Sequence, residues 1–374
     1  MKKYIFVQNV FCGEGSFREL MRGLPYNRIA FITGKSSINK CVEYYESIEF
    51  LLKNKTKTVE VFSGVPSEPS CKDIDDLVIK VKSIDPQIII GIGGGSVMDA
   101  AKAVSALLTN DGSVADYLEG VGCGKKIVNQ TVKLITVPTV AGSGAESTRN
   151  CVITDRKAGF KKSFRDDRIL AGTVVLDPLL SLSLPVDISV RSGLDCLTQL
   201  IESSVSIKSD GFIKSFASAY ISNVISSLSV VYSDPSNIKA RTDMLISSSV
   251  SGTALTNGGL GAVHGLASGI GGFENISHGT LCAVLLPHIV KLNLKYNSGL
   301  YNDLSDILKV KPFNFADYLY NLNESLGIPC NFKSFGIDKS KISTYVNKSA
   351  GSSMDGNPVK LDYNQLIVLL EELF

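Results

Sequence analysis

The sequence predicts an α/β N-terminal domain built on a doubly wound parallel sheet, followed by an all-α C-terminal domain. Three observations predict it. Short apolar, β-branched runs alternate with helical patterns through the first half of the chain, as a parallel sheet with crossover helices requires. One of those runs, Ile88 to Ile92, passes straight into Gly93-Gly94-Gly95 and then into an Ala-rich helical stretch from Ser96 to Leu108. After Leu184-Pro185-Val186-Asp187 the strand-like runs stop, and Ser/Ala/Leu-rich helical periodicity continues to the end. A length of 374 residues suits two domains, expected at residues 1–183 and 184–374.

Lys3 to Val10 reads as a first strand or ribbon, and Cys12-Gly13-Glu14-Gly15-Ser16 as a turn. Arg28 to Thr33 is a buried strand ending at Gly34, and Ser36 to Lys53 has helical spacing. Thr58 to Phe62 is a strand closed by Ser63-Gly64-Val65-Pro66. Asp73 to Ile84 puts Ile74, Leu77, Val78 and Val81 on one face of an amphipathic helix. The strand Ile88–Ile92 and its helix follow, then a strand from Val132 to Val137. From Cys151 to Leu176 the pattern loosens into short strand-like pieces at 152–154, 162–164 and 174–176.

Composition excludes some partners. With 38 basic and 36 acidic residues the net charge is +2, which points to neither nucleic acid nor an anionic membrane. No apolar stretch approaches a membrane span. The eight cysteines (Cys12, Cys41, Cys71, Cys123, Cys151, Cys196, Cys282, Cys330) are scattered and form no C-x-x-C pair, so they read as reduced thiols of a cytoplasmic protein.

Four stretches carry chemistry. The first is the glycine turn, where free N–H groups and the positive end of a helix dipole make an anion site, with Asp99 and Lys102 near one helical face. The second is Gly193 to Glu202, where Asp195 and Gln199 stand one turn apart on an otherwise apolar helix. A carboxylate there must be paired, capped or bound to a cation. The third and fourth are Val263-His264-Gly265 and Ser277-His278-Gly279, which use two of the chain's three histidines. One carboxylate, one amide and two imidazoles suit Zn²⁺ or Fe²⁺. His288 reads as structural or as a neighbour of the ligands.

Gly93-Gly94-Gly95-Ser96-x-x-Asp99-x-Ala101-Lys102 resembles the signature of the iron-containing (metal-dependent, group III) alcohol dehydrogenase family. The resemblance extends, in order, over nearly the whole chain. Pro138-Thr139-Val140-Ala141-Gly142-Ser143-Gly144-Ala145-Glu146 is similar to the family's Pro-Thr-Thr-Ala-Gly-Thr-Gly-Ser-Glu loop, and Lys161 matches a cofactor-contacting lysine. Leu176 to Pro185, with Ser181, matches the junction of the family's two domains, and Asn357-Pro358 a mark near its C-terminus. Asp195-x-x-x-Gln199, Val263-His264-Gly265-Leu266-Ala267-Ser268 and Ser277-His278-Gly279 match its metal-site segments with two departures. Gln199 replaces a histidine ligand, and Ser268 replaces a histidine that lies near the nicotinamide in relatives.

The resemblance implies an architecture shared with dehydroquinate synthase, with metal and substrate in a cleft between domains. It implies reversible hydride transfer between NAD or NADP and a small alcohol/aldehyde pair, in a homodimer. A divalent ion, Fe²⁺ or Zn²⁺, is expected on Asp195, Gln199, His264 and His278. Cofactor contacts are expected from Gly94, Gly95, Ser96, Asp99, Thr139, Ser143, Lys161 and Ser181, with the adenosine ribose at Gly34, Lys35 and Ser36. Where NAD-specific relatives carry a ribose-binding Asp, this chain has Gly34, so NADPH is expected to be accepted and preferred. Alternatives are reduction of an anionic aldehyde such as phosphonoacetaldehyde, served by Arg149 and Lys162, a glycerol-1-phosphate dehydrogenase or dehydroquinate synthase-like activity, and a catalytically inactive binding homologue. Few Lys or Arg lie between residues 193 and 290, which weighs against a phosphate-holding site there.

Overall fold

The computed structural model describes residues 2–35, 42–155 and 159–374. In the first half the order is β1 (Asn9–Cys12), α1 (Ser16–Arg22), β2 (Arg28–Gly34), α2 (Val42–Leu52), β3 (Thr58–Val65), α3 (Cys71–Lys82), β4 (Ile88–Gly93), α4 (Gly95–Leu107), β5 (Lys133–Pro138), β6 (Asn150–Asp155), β7 (Phe160–Arg165) and β8 (Thr173–Leu176). Among the described residues, six strands form one sheet in the order β1-β8-β5-β4-β2-β3, with parallel neighbours throughout. β6 and β7 form a separate antiparallel pair.

The period of two in a strand explains the layering. Ile88, Ile90 and Ile92 of β4 join one core with Phe17, Met21, Tyr44 and Ile48 of α1 and α2. Ile89 joins the opposite core with Ile74 and Val81 of α3 and much of α4. Every residue of β4 is buried, which is why that run is apolar without alternation.

The first strand differs from expectation. Pairing begins only at Asn9, in register with Thr173, and the stretch read as a turn leads into α1 at Ser16. Asp177 explains that helix: its carboxylate accepts from the Phe17 N–H at 3.0 Å, a partner 160 residues away. The helix expected from Ser36 is described only from Val42, and Ser36 itself lies outside the described residues.

The second half is helical: α5 (Val186–Val205), α6 (Gly211–Ser218), α7 (Ile221–Ser233), α8 (Ile238–Gly258), α9 (Ala262–Gly271), α10 (His278–Tyr296), α11 (Asn302–Leu308), α12 (Phe315–Ser325), α13 (Ile342–Lys348) and α14 (Tyr363–Leu373). The chain divides into two compact units, Met1–Pro185 with Pro235–Thr253, and Val186–Asp234 with Ala254–Phe374. The break near 185 lies close to the sequence boundary, but most of α8 belongs with the sheet. Gly144 shows why. Its φ of +62° suits glycine, and a Cβ there would sit 2.5 Å from the Gly252 Cα. Ser248 Oγ accepts from the N–H groups of Gly142 and Gly144 at 2.9 and 3.2 Å, and donates to Glu146 Oε1 at 3.1 Å. Among the described residues no helix is long and apolar enough to cross a membrane, and the described cysteines are free thiols.

Candidate metal centre and cofactor loops

In the sheet unit, two loops lie side by side at the C-terminal ends of β4 and β5. The Thr139 N–H donates to the Gly93 carbonyl at 2.9 Å. A Cβ on Gly95 would stand 2.9 Å from Ser143 Oγ, so the two segments approach closely there. Gly94 caps α4 without any side-chain cap, and the first turn of α4 carries no acidic residue. Its N-terminal N–H groups and dipole therefore suit an anion. Thr139 Oγ1 is buried with no hydrogen-bond partner, a polar atom that a bound group would satisfy.

The other expected cofactor residues fall as follows. Lys161 Nζ lies 2.9 Å from Glu68 Oε1, and the Glu68 N–H donates to Ser96 Oγ at 2.9 Å. Glu68 thus engages two of the expected contacts at once, a role the sequence did not signal. Asp99 is buried 3.9 Å from Lys102 Nζ, and burial, opposed by the charge of Lys102, raises its carboxyl to about 6. Lys102 points inward, donating to Thr148 Oγ1 and the Asn150 carbonyl at 2.8 and 2.9 Å. Ser181 Oγ donates to the Pro178 carbonyl at 2.8 Å. Gly34 ends β2 opposite Val65, and Lys35 is exposed. Arg149 is tied to Asp167 at 2.7 Å.

In the helical unit, α5, α9 and α10 bring the metal candidates together. α10 packs on both α5 and α9. Glycine permits this closeness: a Cβ on Gly279 would meet the Arg191 carbonyl of α5 at 2.2 Å, and one on Gly261 would meet Glu202 Oε1 at 2.7 Å. The glycines beside the histidines thus serve helix packing. Asp195, Gln199 and Glu202 of α5 and His264 of α9 are all buried. His264 Nε2 lies 3.1 Å from Asp195 Oδ1, and its Nδ1 lies 2.6 Å from Glu202 Oε2. Glu202 Oε1 also accepts from the Val263 N–H at 2.7 Å. His278 Nε2 is 4.0 Å from Asp195 Oδ1 and 3.6 Å from the sulfur of Cys282. The ligand atoms of Asp195, His264, His278 and Cys282 all lie within 4.8 Å of one another.

This donor set fits a divalent transition metal: a carboxylate, two imidazoles and a thiol gathered in a site that is buried except at the partly exposed His278. The electrostatics agree. Burial pushes the Asp195 carboxyl up, but the His264 hydrogen bond and the charges of His278 and His264 outweigh it and bring it to about 2. Burial opposes charge on His264, yet the Glu202 and Asp195 carboxylates beside it raise it well above the usual histidine range. Burial raises the Cys282 thiol to about 12. Without metal the site holds protons that an ion would displace.

Cys282 and Glu202 were missed as site residues. The signal for Cys282 was its spacing, four residues after His278 and so on one helical face. Glu202 was visible only as a further carboxylate two turns after Asp195 on α5. His288 is structural, bonded to the Cys330 carbonyl and the Tyr320 hydroxyl, both at 2.8 Å. Ser268 lies one turn after His264 on α9, partly buried.

A doubly wound sheet with a glycine turn is a frame common to nucleotide-binding enzymes, and the helical unit carries a carboxylate–imidazole–thiol cluster whose donor atoms could hold a metal ion. Comparison with known proteins agrees. The family "Iron-containing alcohol dehydrogenase" matches residues 8–178, and "Fe-containing alcohol dehydrogenase family, C-terminal" matches 189–374. Alcohol dehydrogenase 4 of Saccharomyces cerevisiae is 28% identical over 97% of this chain and 96% of its own. Long-chain-alcohol dehydrogenase 1 of Geobacillus thermodenitrificans is 31% identical over 78% of this chain and 75% of its own. The structure of an alcohol dehydrogenase from Oenococcus oeni superposes with a TM-score of 0.92 at 25% identity, covering all of both chains. The chain belongs to the iron-containing alcohol dehydrogenases, a family of NAD(P)-linked oxidoreductases.

Proposed function

We propose that this protein reversibly transfers hydride between a nicotinamide cofactor and a small alcohol/aldehyde pair, and that it prefers NADP(H). The observation that carries the reading is the convergence of Asp195, His264 and His278 in the helical unit. In this reading those three hold the ion, and Gln199, one turn from Asp195, is the fourth donor that the family resemblance leads one to expect. The ion supplies Lewis acidity toward the substrate oxygen. Asp195 provides charge, and Glu202 accepts from His264 Nδ1, which leaves the Nε2 lone pair aimed into the site. The loops around Gly94, Gly95, Ser96, Thr139 and Ser143 receive the cofactor's pyrophosphate, and Gly34 with Lys35 leaves room and charge for a 2′-phosphate. Of the two cations considered for an anionic aldehyde, Arg149 is paired with Asp167 at 2.7 Å.

The same reading makes the protein a homodimer. Tyr4, Phe6, Val10 and Phe11 are exposed on or just before β1, an edge strand of the sheet, and an exposed apolar edge invites a second copy. Sedimentation at micromolar concentration should give twice the chain mass. The function is tested by metal analysis of the purified protein with an NAD(P)H oxidation screen over aldehydes. The parent should hold one ion per chain, and His264→Ala should lose both ion and turnover. Full turnover in that variant, or in protein kept metal-free by chelator, would refute the reading.

A further inference from the structure

We infer that the Cys282 thiolate is a protein ligand of the metal ion, so that sulfur, rather than the Gln199 amide, completes the set begun by Asp195, His264 and His278. The inference rests on the metal reading above and concerns which atoms take the ion.

Cys282 is fully buried on α10, one turn beyond His278, so the two side chains share a face. Its sulfur lies 3.6 Å from His278 Nε2, and it stands within 4.8 Å of the donor atoms of Asp195 and His264 as well. The His278–Cys282 and His264–Asp195 separations match those of ligands on one small ion, and the His278–Asp195 separation is longer. A tetrahedral zinc with bonds of about 2.0 Å to nitrogen and 2.3 Å to sulfur holds those two ligands about 3.6 Å apart. Two nitrogen or oxygen ligands of the same ion stand about 3.3 Å apart, against 3.1 Å for His264–Asp195 and 4.0 Å for His278–Asp195 here.

Charge favours sulfur over the amide. A Cys282 thiolate would put a second negative donor directly on the ion beside Asp195, which the neutral Gln199 amide cannot do; Glu202 lends its charge only through His264 Nδ1. Thiolate is also the softer donor and suits Zn²⁺ or Fe²⁺ better than a carbonyl oxygen does. On ligation the S–H bond breaks, the sulfur–metal bond forms from the sulfur electron pair, and the proton leaves to solvent. No oxidant or reductant is involved.

The test is spectroscopic and needs no turnover. Apo-protein loaded with one Co²⁺ per chain should show an intense near-ultraviolet thiolate-to-cobalt band beside the visible d–d bands. X-ray absorption of the zinc-loaded parent should show a sulfur neighbour at about 2.3 Å. Cys282→Ser should abolish the near-ultraviolet band, keep the d–d bands and weaken zinc at least tenfold in chelator competition. Gln199→Ala should keep the near-ultraviolet band. A parent cobalt spectrum without the thiolate band, a zinc site with only light neighbours, or a band that survives in Cys282→Ser would overturn the inference. Metal bound without sulfur overturns it alone, whereas a folded protein that binds no ion overturns the metal reading with it. The spectra of the parent decide the matter even if the serine variant fails to fold.

Discussion

Glu202 offers the sharpest single perturbation of the metal centre. Its carboxylate is buried and takes two donors, the Val263 N–H at 2.7 Å and His264 Nδ1 at 2.6 Å. Glu202→Gln keeps the volume but replaces one acceptor oxygen with an NH₂ donor. If the amide oxygen keeps Val263, the NH₂ faces Nδ1 and drives the imidazole proton to Nε2, the nitrogen needed for the metal. If the oxygen keeps Nδ1, two donors face each other at Val263. Either way one charge-assisted bond is lost, worth about 1.5–3 kcal/mol. Metal affinity should fall about 10- to 100-fold, or about 1.4–2.7 kcal/mol. The assay is chelator competition for zinc on the parent and the variant, with circular dichroism to establish that both are folded. An unchanged dissociation constant in a folded variant would refute the claim that Glu202 orients His264.

Three further predictions follow from the sheet unit. Gly34→Asp should move cofactor preference toward NADH, because a carboxylate beside a 2′-phosphate repels it; kcat/KM for both cofactors measures this, and an unmoved ratio would remove Gly34 from the ribose site. Glu68→Gln should tighten NAD(P)H binding by about three- to tenfold in a fluorescence titration, since it frees Lys161 and removes a negative charge beside Ser96; weaker binding would show that the pair organises the site. Burial raises the Glu146 carboxyl from its ordinary 4.5 to about 7, against hydrogen bonds from its own backbone and Ser248. The folded protein therefore keeps a proton that the unfolded chain releases, so this contribution to stability is intact below about 4.5 and is lost as pH rises toward about 7. Between pH 5.5 and 8 the parent should lose about 2 kcal/mol through this group, and Glu146→Gln should lack that slope in denaturant melts.

Much of the sheet unit was legible in the sequence because its signals are local. Ile88 to Ile92 is apolar at every position because β4 is covered on both faces, and the glycine turn announces itself wherever it stands. The pairing of Asp195 with His264 was legible less directly, from the rarity of histidine and from resemblance rather than from spacing. Other features depend on distant partners. α1 begins where Asp177 reaches it across 160 residues. Most of α8 joins the sheet unit because Gly144 and Gly252 allow backbone contact and Ser248 collects two loop N–H groups. Neither fact has a periodicity to betray it. The donors tell the same story. Sequence spacing nominated Gln199, which shares a helical face with Asp195, and passed over Cys282, which shares one with His278. That the Cys282 sulfur stands beside the donor atoms of Asp195, His264 and His278 is set by how α5, α9 and α10 pack, and packing is decided by side chains far apart in the chain.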